Sequence, residues 1–174
     1  MALIYGAKRP MPEDMPSPGF DEAGFFHALT VSGARALLVG RRALVALGIP
    51  VLTADYDFWL HPDDVEIFNR AAEPFDLVAN RSPADARLQG RYVLENDEHI
   101  DVLIARHVSL GAGRSISFDE VWQRRRLLVS KGASVPVPST DDIISTKRWG
   151  SRPKDAEDIR LLEALRERER RGKE

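Results

Sequence analysis

Residues 36–60 read ALLVGRRALVALGIPVLTADYDFWL, and three kinds of backbone follow one another within them. The apolar run Ala36-Leu37-Leu38-Val39 has the composition of a buried strand, Gly40 breaks it, and Arg41 to Leu47 has helical composition that stops at Gly48 and Pro50. This predicts a strand, a glycine turn and a short helix. The next run, Thr53 to Leu60, alternates and predicts a second strand with Thr53, Asp55 and Asp57 on one face and Ala54, Tyr56 and Phe58 on the other. Two carboxylates pointing the same way repel, and each raises the other's pKa unless a cation neutralises them. Convergent carboxylate oxygens suit a hard divalent ion such as Mg²⁺. The plainer alternative is that one Asp caps a turn while the other faces water.

The 174 residues fit one domain able to bury a core, with 43% hydrophobic and 30% charged residues. No apolar run is long enough to span a bilayer. The absence of cysteine excludes disulfides, thiolate zinc sites and a cysteine nucleophile. The start MALIYGAKRP lacks the apolar core of a signal peptide, so a cytoplasmic protein with no membrane partner is expected. With a net charge of −2, any grip on nucleic acid must come from a local basic patch.

Residues 1–19 carry Pro10, Pro12, Pro16 and Pro18 and predict an extended N-terminal arm, leaving 20–174 as a single domain. Phe20 to Ser32 predicts a first helix capped by Asp21, and Pro62 to Pro74 another with an apolar face. Phe75 to Arg87 reads as irregular. Arg91 to Leu94 and His99 to Ile104 predict an antiparallel hairpin whose second strand carries a lone acid, Asp101, inside an apolar run; Asp is rarely buried without a partner. Gly111-Ala112-Gly113 reads as a loop and Phe118 to Arg125 as a short helix. Arg126 to Val129 and Ser134 to Val137 read as short extended pieces. Ser139-Thr140-Asp141-Asp142 opens a helix that ends at Gly150, and Pro153 starts another with a charged, solvated end.

Taken together, these are a glycine turn at a helix start (Gly40), paired acids on the next strand, a third acid on a later strand (Asp101) and a lysine on a later helix (Lys147). A helix N-terminus offers N–H groups to phosphate, three carboxylates can hold one or two metal ions, and a lysine can neutralise further phosphate charge. Phosphoryl chemistry fits that set. On Leu38-Val39-Gly40, Gly48, Thr53-Ala54-Asp55-Tyr56-Asp57, Ile100-Asp101-Val102, Asp141-Asp142-Ile143-Ile144 with Lys147, and Arg152-Pro153-Lys154-Asp155 with Asp158-Ile159, the chain resembles the minimal nucleotidyltransferases of the polymerase-beta-like fold. The likeness is to the branch found in bacterial toxin–antitoxin and abortive-infection systems.

The resemblance covers roughly residues 35–165 and implies an α/β (α+β) fold, a small mixed sheet flanked by helices, with C-terminal helices. It implies transfer of a nucleotide from a nucleoside triphosphate to a hydroxyl of RNA (tRNA) or protein, with Mg²⁺ or Mn²⁺ as cofactor and a cognate toxin or antitoxin as partner. Carried over, Asp55, Asp57 and Asp101 are the catalytic and metal-binding acids, and Gly40, Arg41, Thr53 and Lys147 the nucleotide-binding set. Two departures stand out. The family turn continues with Gly or Ser where this chain has Arg41, and Val51 stands where the family often has an arginine. Arg41, in the first turn of a helix, is disfavoured by the helix dipole and predicts strain when no anion is bound. These departures motivate a second reading, a catalytically reduced domain that binds a partner protein or nucleotide without turnover. A third reading is an α/β domain whose Asp pair faces solvent. Arg124, Arg125, Arg126, Lys131, Arg148, Arg152 and Lys154 could gather into a phosphate grip for an RNA acceptor or could be scattered surface charge.

Overall fold

The computed structural model describes residues 19–150 and 152–172, so the proline-rich arm lies outside the described residues except for Gly19. Helix α1 (Glu22–Ser32) starts where Asp21 accepts the Gly24 N–H at 2.9 Å and stops at Gly33 in the left-handed region. Then come β1 (Ala36–Val39), α2 (Gly40–Ala46) and β2 (Tyr56–Leu60), followed by a 3₁₀ turn (Pro62–Asp64), α3 (Val65–Ala72) and β3 (Val78–Ala79). The chain continues through α4 (Pro83–Gln89), β4 (Arg91–Glu95), β5 (His99–Ile104), β6 (His107–Gly111), β7 (Arg114–Ser117) and α5 (Phe118–Gln123). It ends with β8 (Arg126–Ser130), β9 (Ala133–Val137), α6 (Thr140–Gly150) and α7 (Pro153–Arg171).

The central sheet runs β1-β2-β5-β4-β3; β2 and β5 are parallel and the other pairs antiparallel. Period two divides its residues between faces. Leu38, Phe58, Leu60, Tyr92, Leu94, Ile100 and Val102 face α1 and α3 and are almost fully buried. There Phe25, Phe58 and Phe68 meet edge to face at 5.5–6.3 Å between centroids, a geometry that adds to the burial of their area. On the opposite face Leu37 and Trp59 pack with Ile116, Phe118 and Val121 from β7 and α5, forming a smaller second core. Asp57 and Asp101 belong to that second face, beyond its packed part. The β8–β9 hairpin lies against α1 and β1, and α6 packs on β6 and α7.

The predicted mixed sheet flanked by helices is what forms, with three local differences. The strand predicted from Thr53 begins only at Tyr56, because the Thr53 hydroxyl accepts the Asp55 N–H at 3.2 Å, a local bond that competes with the sheet ladder. The stretch read as irregular contains β3 and α4; Ser82 caps α4 by accepting the Asp85 N–H at 3.2 Å. The glycine loop at Gly111 turns out to be the turn of the β6–β7 hairpin. Among the described residues, no helix is long and apolar enough to cross a membrane.

Candidate active site

The site begins with strand register. On the parallel pair β2–β5, Asp57 stands opposite Asp101, and on the other side Asp57 stands opposite Val39, the last residue of β1. The chain then turns at Gly40 with φ of 63°, a left-handed conformation that favours glycine. A Cβ at Gly40 would overlap Asp57 Oδ2 and lie 2.9 Å from its Cγ. The Asp57 carboxylate therefore rests against the backbone of the turn that opens α2, and no side chain caps that helix.

Asp57 is half-buried, and its carboxyl is pushed above the ordinary range, first by burial and then by the negative charges of Asp101 and Asp55; Lys154 and Arg152 pull it partly back. Asp55 is exposed in the segment leading into β2. Asp101, one-third exposed, has Arg91 at 3.3 Å on one oxygen and His99 at 3.4 Å on the other, and His99 also meets Glu95 at 3.0 Å. The described residues hold no group of three or more His, Cys, Asp or Glu side chains arranged to bind a metal ion. What converges is a carboxylate pair, with Asp55 contributing its charge from the approach to β2.

The two expected phosphate cations are both paired with carboxylates of α7, and Lys147 lines the same cleft as Gly40. Arg41 reaches Asp158 at 3.1 Å and Glu157 at 3.6 Å on α7. The strain predicted for Arg41 is therefore absent in this geometry, because a buried carboxylate of the protein offsets the guanidinium. Lys147 is buried and donates to Asp158 at 2.8 Å and Asp155 at 3.2 Å, so its charge is also balanced internally. Burial pushes Asp155 up, but the hydrogen bonds from Arg152 and Lys147 outweigh it and hold the carboxyl below its ordinary value. Thr53 is half-buried beside Asp55, and Val51 packs on the main core, an environment that suits valine where an arginine was expected.

The proposed basic patch is likewise engaged. Arg124 pairs with Asp142, Arg126 with Glu169, Lys131 with Glu22, Arg148 with Glu163 and Arg152 with Asp155, while Arg125 lies over the Trp122 ring at 3.9 Å. Among the described residues Lys154 makes no ion pair, and it acts on Asp57 through space. Arg152 and Lys154, at the start of α7, are the cations whose charge reaches Asp57, and both belong to the basic group that the sequence reading expected to gather into a phosphate grip. They stand in the Arg-Pro-Lys-Asp run, whose Asp155 both caps α7 and orients Arg152.

Beside Gly40 a cleft of about 190 Å³ opens. Its lining includes Trp59 and Leu103, each two residues beyond an acid on the same face, together with Val108, Val121, Ile143 and the charged Lys147, Arg152 and Asp155.

Comparison of this arrangement with solved structures finds the same architecture. A protein of Thermotoga maritima, TM1012, described as a candidate nucleotidyltransferase, superposes with a TM-score of 0.56 at 15% identity over 78% of this chain and 86% of that one. The chain has the nucleotidyltransferase fold. The antibiotic-resistance factor ANT(2'')-Ia, in a crystal structure with adenylyl-2''-tobramycin, gives a TM-score of 0.56 at 18% identity over 87% of this chain and 95% of that one. Its solution structure gives 0.54 at 16% identity, over 84% and 88%. At these identities the likeness is one of fold. No protein-family profile matches the sequence, and no curated protein matches it. Within the nucleotidyltransferase fold, the Gly40 turn and the Asp57–Asp101 pair lie side by side across the neighbouring strands β1, β2 and β5 of the central sheet.

Proposed function

We propose that this protein is a divalent-metal-dependent nucleotidyltransferase that moves a nucleotide from a nucleoside triphosphate to a hydroxyl. The observation that carries the reading is the register of Asp57 with Asp101 against the Gly40 turn. A half-buried carboxylate kept unfavourable by two neighbouring carboxylates is a place prepared for a cation, and its donors are the hard oxygens that Mg²⁺ or Mn²⁺ takes. Asp57 and Asp101 would hold the metal, with Asp55 within electrostatic reach. When bound, the metal supplies charge neutralisation at the transferred phosphate. The chain's own part is positioning: the uncapped start of α2 would offer backbone N–H groups to a phosphate beside the turn on which Asp57 rests, and the charges of Arg152 and Lys154 act on the same carboxylate. The acceptor hydroxyl would attack the α-phosphorus as its proton is lost to water, the bond from that phosphorus to the bridging oxygen of the β-phosphate would break, and pyrophosphate would leave; Asp101, held by Arg91 and His99, stands opposite Asp57 to orient that hydroxyl.

Both departures from the family pattern have local structural causes, Arg41 in its pairing with Asp158 and Val51 in its core contacts, which supports turnover over binding alone. The engagement of the basic residues in internal pairs supports a protein or other non-polyanionic acceptor over RNA. A toxin–antitoxin role, with a cognate protein partner, accompanies this reading. To test it, the protein is incubated with each labelled triphosphate, Mg²⁺ or Mn²⁺, and cell lysate. Transfer of label that Asp57→Asn abolishes is expected. No transfer with any triphosphate, together with no metal effect on the melting temperature, overturns the reading.

A further inference from the structure

We infer that Arg42 is a positioning residue for Asp55: its guanidinium grips the chain on both sides of that acid and so presents the carboxylate to the metal site. This rests on the nucleotidyltransferase reading and deepens it. Asp55 needs such a hold because it lies outside the sheet. β2 begins only at Tyr56, so neither the pairing with β1 nor that with β5 includes Asp55. The Thr53 hydroxyl that accepts its N–H belongs to the same exposed approach and ties it to nothing beyond. Period two keeps Asp55 on the face of Asp57 only while the backbone between them stays extended.

Arg42 supplies the missing constraint. Its Nη2 donates to the Ala54 carbonyl at 3.3 Å, and its guanidinium lies 4.1 Å over the Tyr56 ring. Ala54 precedes Asp55 and Tyr56 follows it, so the two contacts straddle the acid. Both ends of the hold are themselves fixed: Tyr56 is buried against Phe20 and Phe26, and Arg42 pairs at 3.6 Å with Glu22, a buried residue of α1 that Lys131 also meets at 3.1 Å. Arg42 stands two residues after Gly40 on α2, so one short helix touches Asp57 through its turn and the approach to Asp55 through Arg42. Stability gives no reason for an arginine here. The side chain is mostly buried in the first turn of α2, where the helix dipole disfavours a cation, and among the described residues its buried Nε has no hydrogen-bond partner. A charge buried with incomplete pairing costs energy that an apolar side chain of similar length avoids. What an apolar chain lacks is the planar guanidinium, which hydrogen-bonds in its plane and stacks through its face at once.

The test titrates the whole chain with Mn²⁺ alone and follows binding by electron paramagnetic resonance, with melting curves beside it. Arg42→Met should melt within a few degrees of wild type, because Glu22 keeps Lys131, yet bind Mn²⁺ roughly tenfold or more weakly, the usual effect of losing a group that orients a metal ligand. Asp55→Asn should lose as much, and the double variant no more than Asp55→Asn alone, since both changes remove the same ligand. Arg42→Lys, a cation that still reaches the Ala54 carbonyl, should recover part of the affinity, and Lys131→Met, which disturbs Glu22 without touching Ala54 or Tyr56, should bind as wild type does. Wild-type Mn²⁺ affinity in Arg42→Met, losses that add in the double variant, a lysine no better than methionine, or an equal loss in Lys131→Met overturns the inference. So does full affinity in Asp55→Asn, which leaves no ligand to position and leaves the Asp57–Asp101 reading standing. If wild type binds no Mn²⁺, the underlying reading fails as well. Should Arg42→Met unfold, Arg42→Gln, too short to span both contacts, decides by the same criteria.

Discussion

Replacing Gly40 with alanine tests whether the Asp57 carboxylate leans on the turn. The substitution has two separable costs. Holding a residue with a Cβ at φ of 63° costs about 1–2 kcal/mol. The new Cβ also overlaps Asp57 Oδ2 and sits 2.9 Å from Cγ, which drives the side chain off its rotamer for a further ~1 kcal/mol. The sum, about 2–3 kcal/mol, corresponds to a fall in Tm of roughly 5–10 °C for a chain of this size. A double-mutant cycle in urea separates the two parts. In an Asp57→Ala background the carboxylate is gone and only the backbone cost should remain, so the coupling energy between the positions should be about 1 kcal/mol. If Gly40→Ala costs the same in both backgrounds to within ~0.3 kcal/mol, the close approach is not what makes glycine necessary. The Asp57 carboxylate would then stand clear of the turn, and the phosphate cradle would lose its link to the acids.

The remaining predictions concern charge. Because the folded Asp57 carboxyl lies above its ordinary value, it favours folding at acid pH, and that contribution is lost as pH rises through the folded value. Asp57→Asn, never charged, should therefore melt above wild type at pH 7 and lose its lead below about pH 4; a lead that persists in acid refutes the assignment. Asp158 is fully buried between Arg41 and Lys147, so Asp158→Ala should cost about 3–5 kcal/mol by urea denaturation, with little change at high salt. A loss below about 1 kcal/mol would mean that the network is open to water. Since Lys154 and Arg125 are the cations of the expected patch without an ion pair among the described residues, and Arg125 is held over Trp122, single-stranded RNA should bind weakly, with a log–log salt slope between about −0.7 and about −1.4. A slope steeper than about −3 in filter binding would restore the phosphate grip.

Much of this was legible in residues 36–60, where the strand, the left-handed glycine and the acid two residues into β2 follow from composition and period two. Asp101 could be singled out because an acid inside an apolar run demands a reason, and the parallel register supplied one. What stayed hidden were the facts that depend on distant segments meeting. Arg41 looked strained because its partner, Asp158, lies far along the chain. Lys147 looked like a free cation because Asp155 and Asp158, only 8 and 11 residues on, meet it only when α7 folds back on α6, and the seven basic residues resembled a patch until their acids were placed beside them. Asp55 was assigned to the strand because alternation cannot register a side chain such as Thr53 diverting the backbone N–H. The short β3 and α4 were missed because two residues of strand and a seven-residue helix give period too little length to declare itself.

The parallel pairing of β2 with β5 has a further consequence for how such a protein can change. On one face the pairs read Tyr56 with Ile100, Phe58 with Val102 and Leu60 with Ile104, all in the main core; on the other, Asp57 with Asp101 and Trp59 with Leu103. A slip of one residue would send the acids into the aromatic core and the aromatics into water, so the apolar pairs guard the alignment of the acids as strictly as their own burial. The ladder that seats Phe58 and Val102 in the main core therefore also holds Asp57 level with Asp101, so a substitution that loosens the core pairs is felt on the far face as misalignment of the acids.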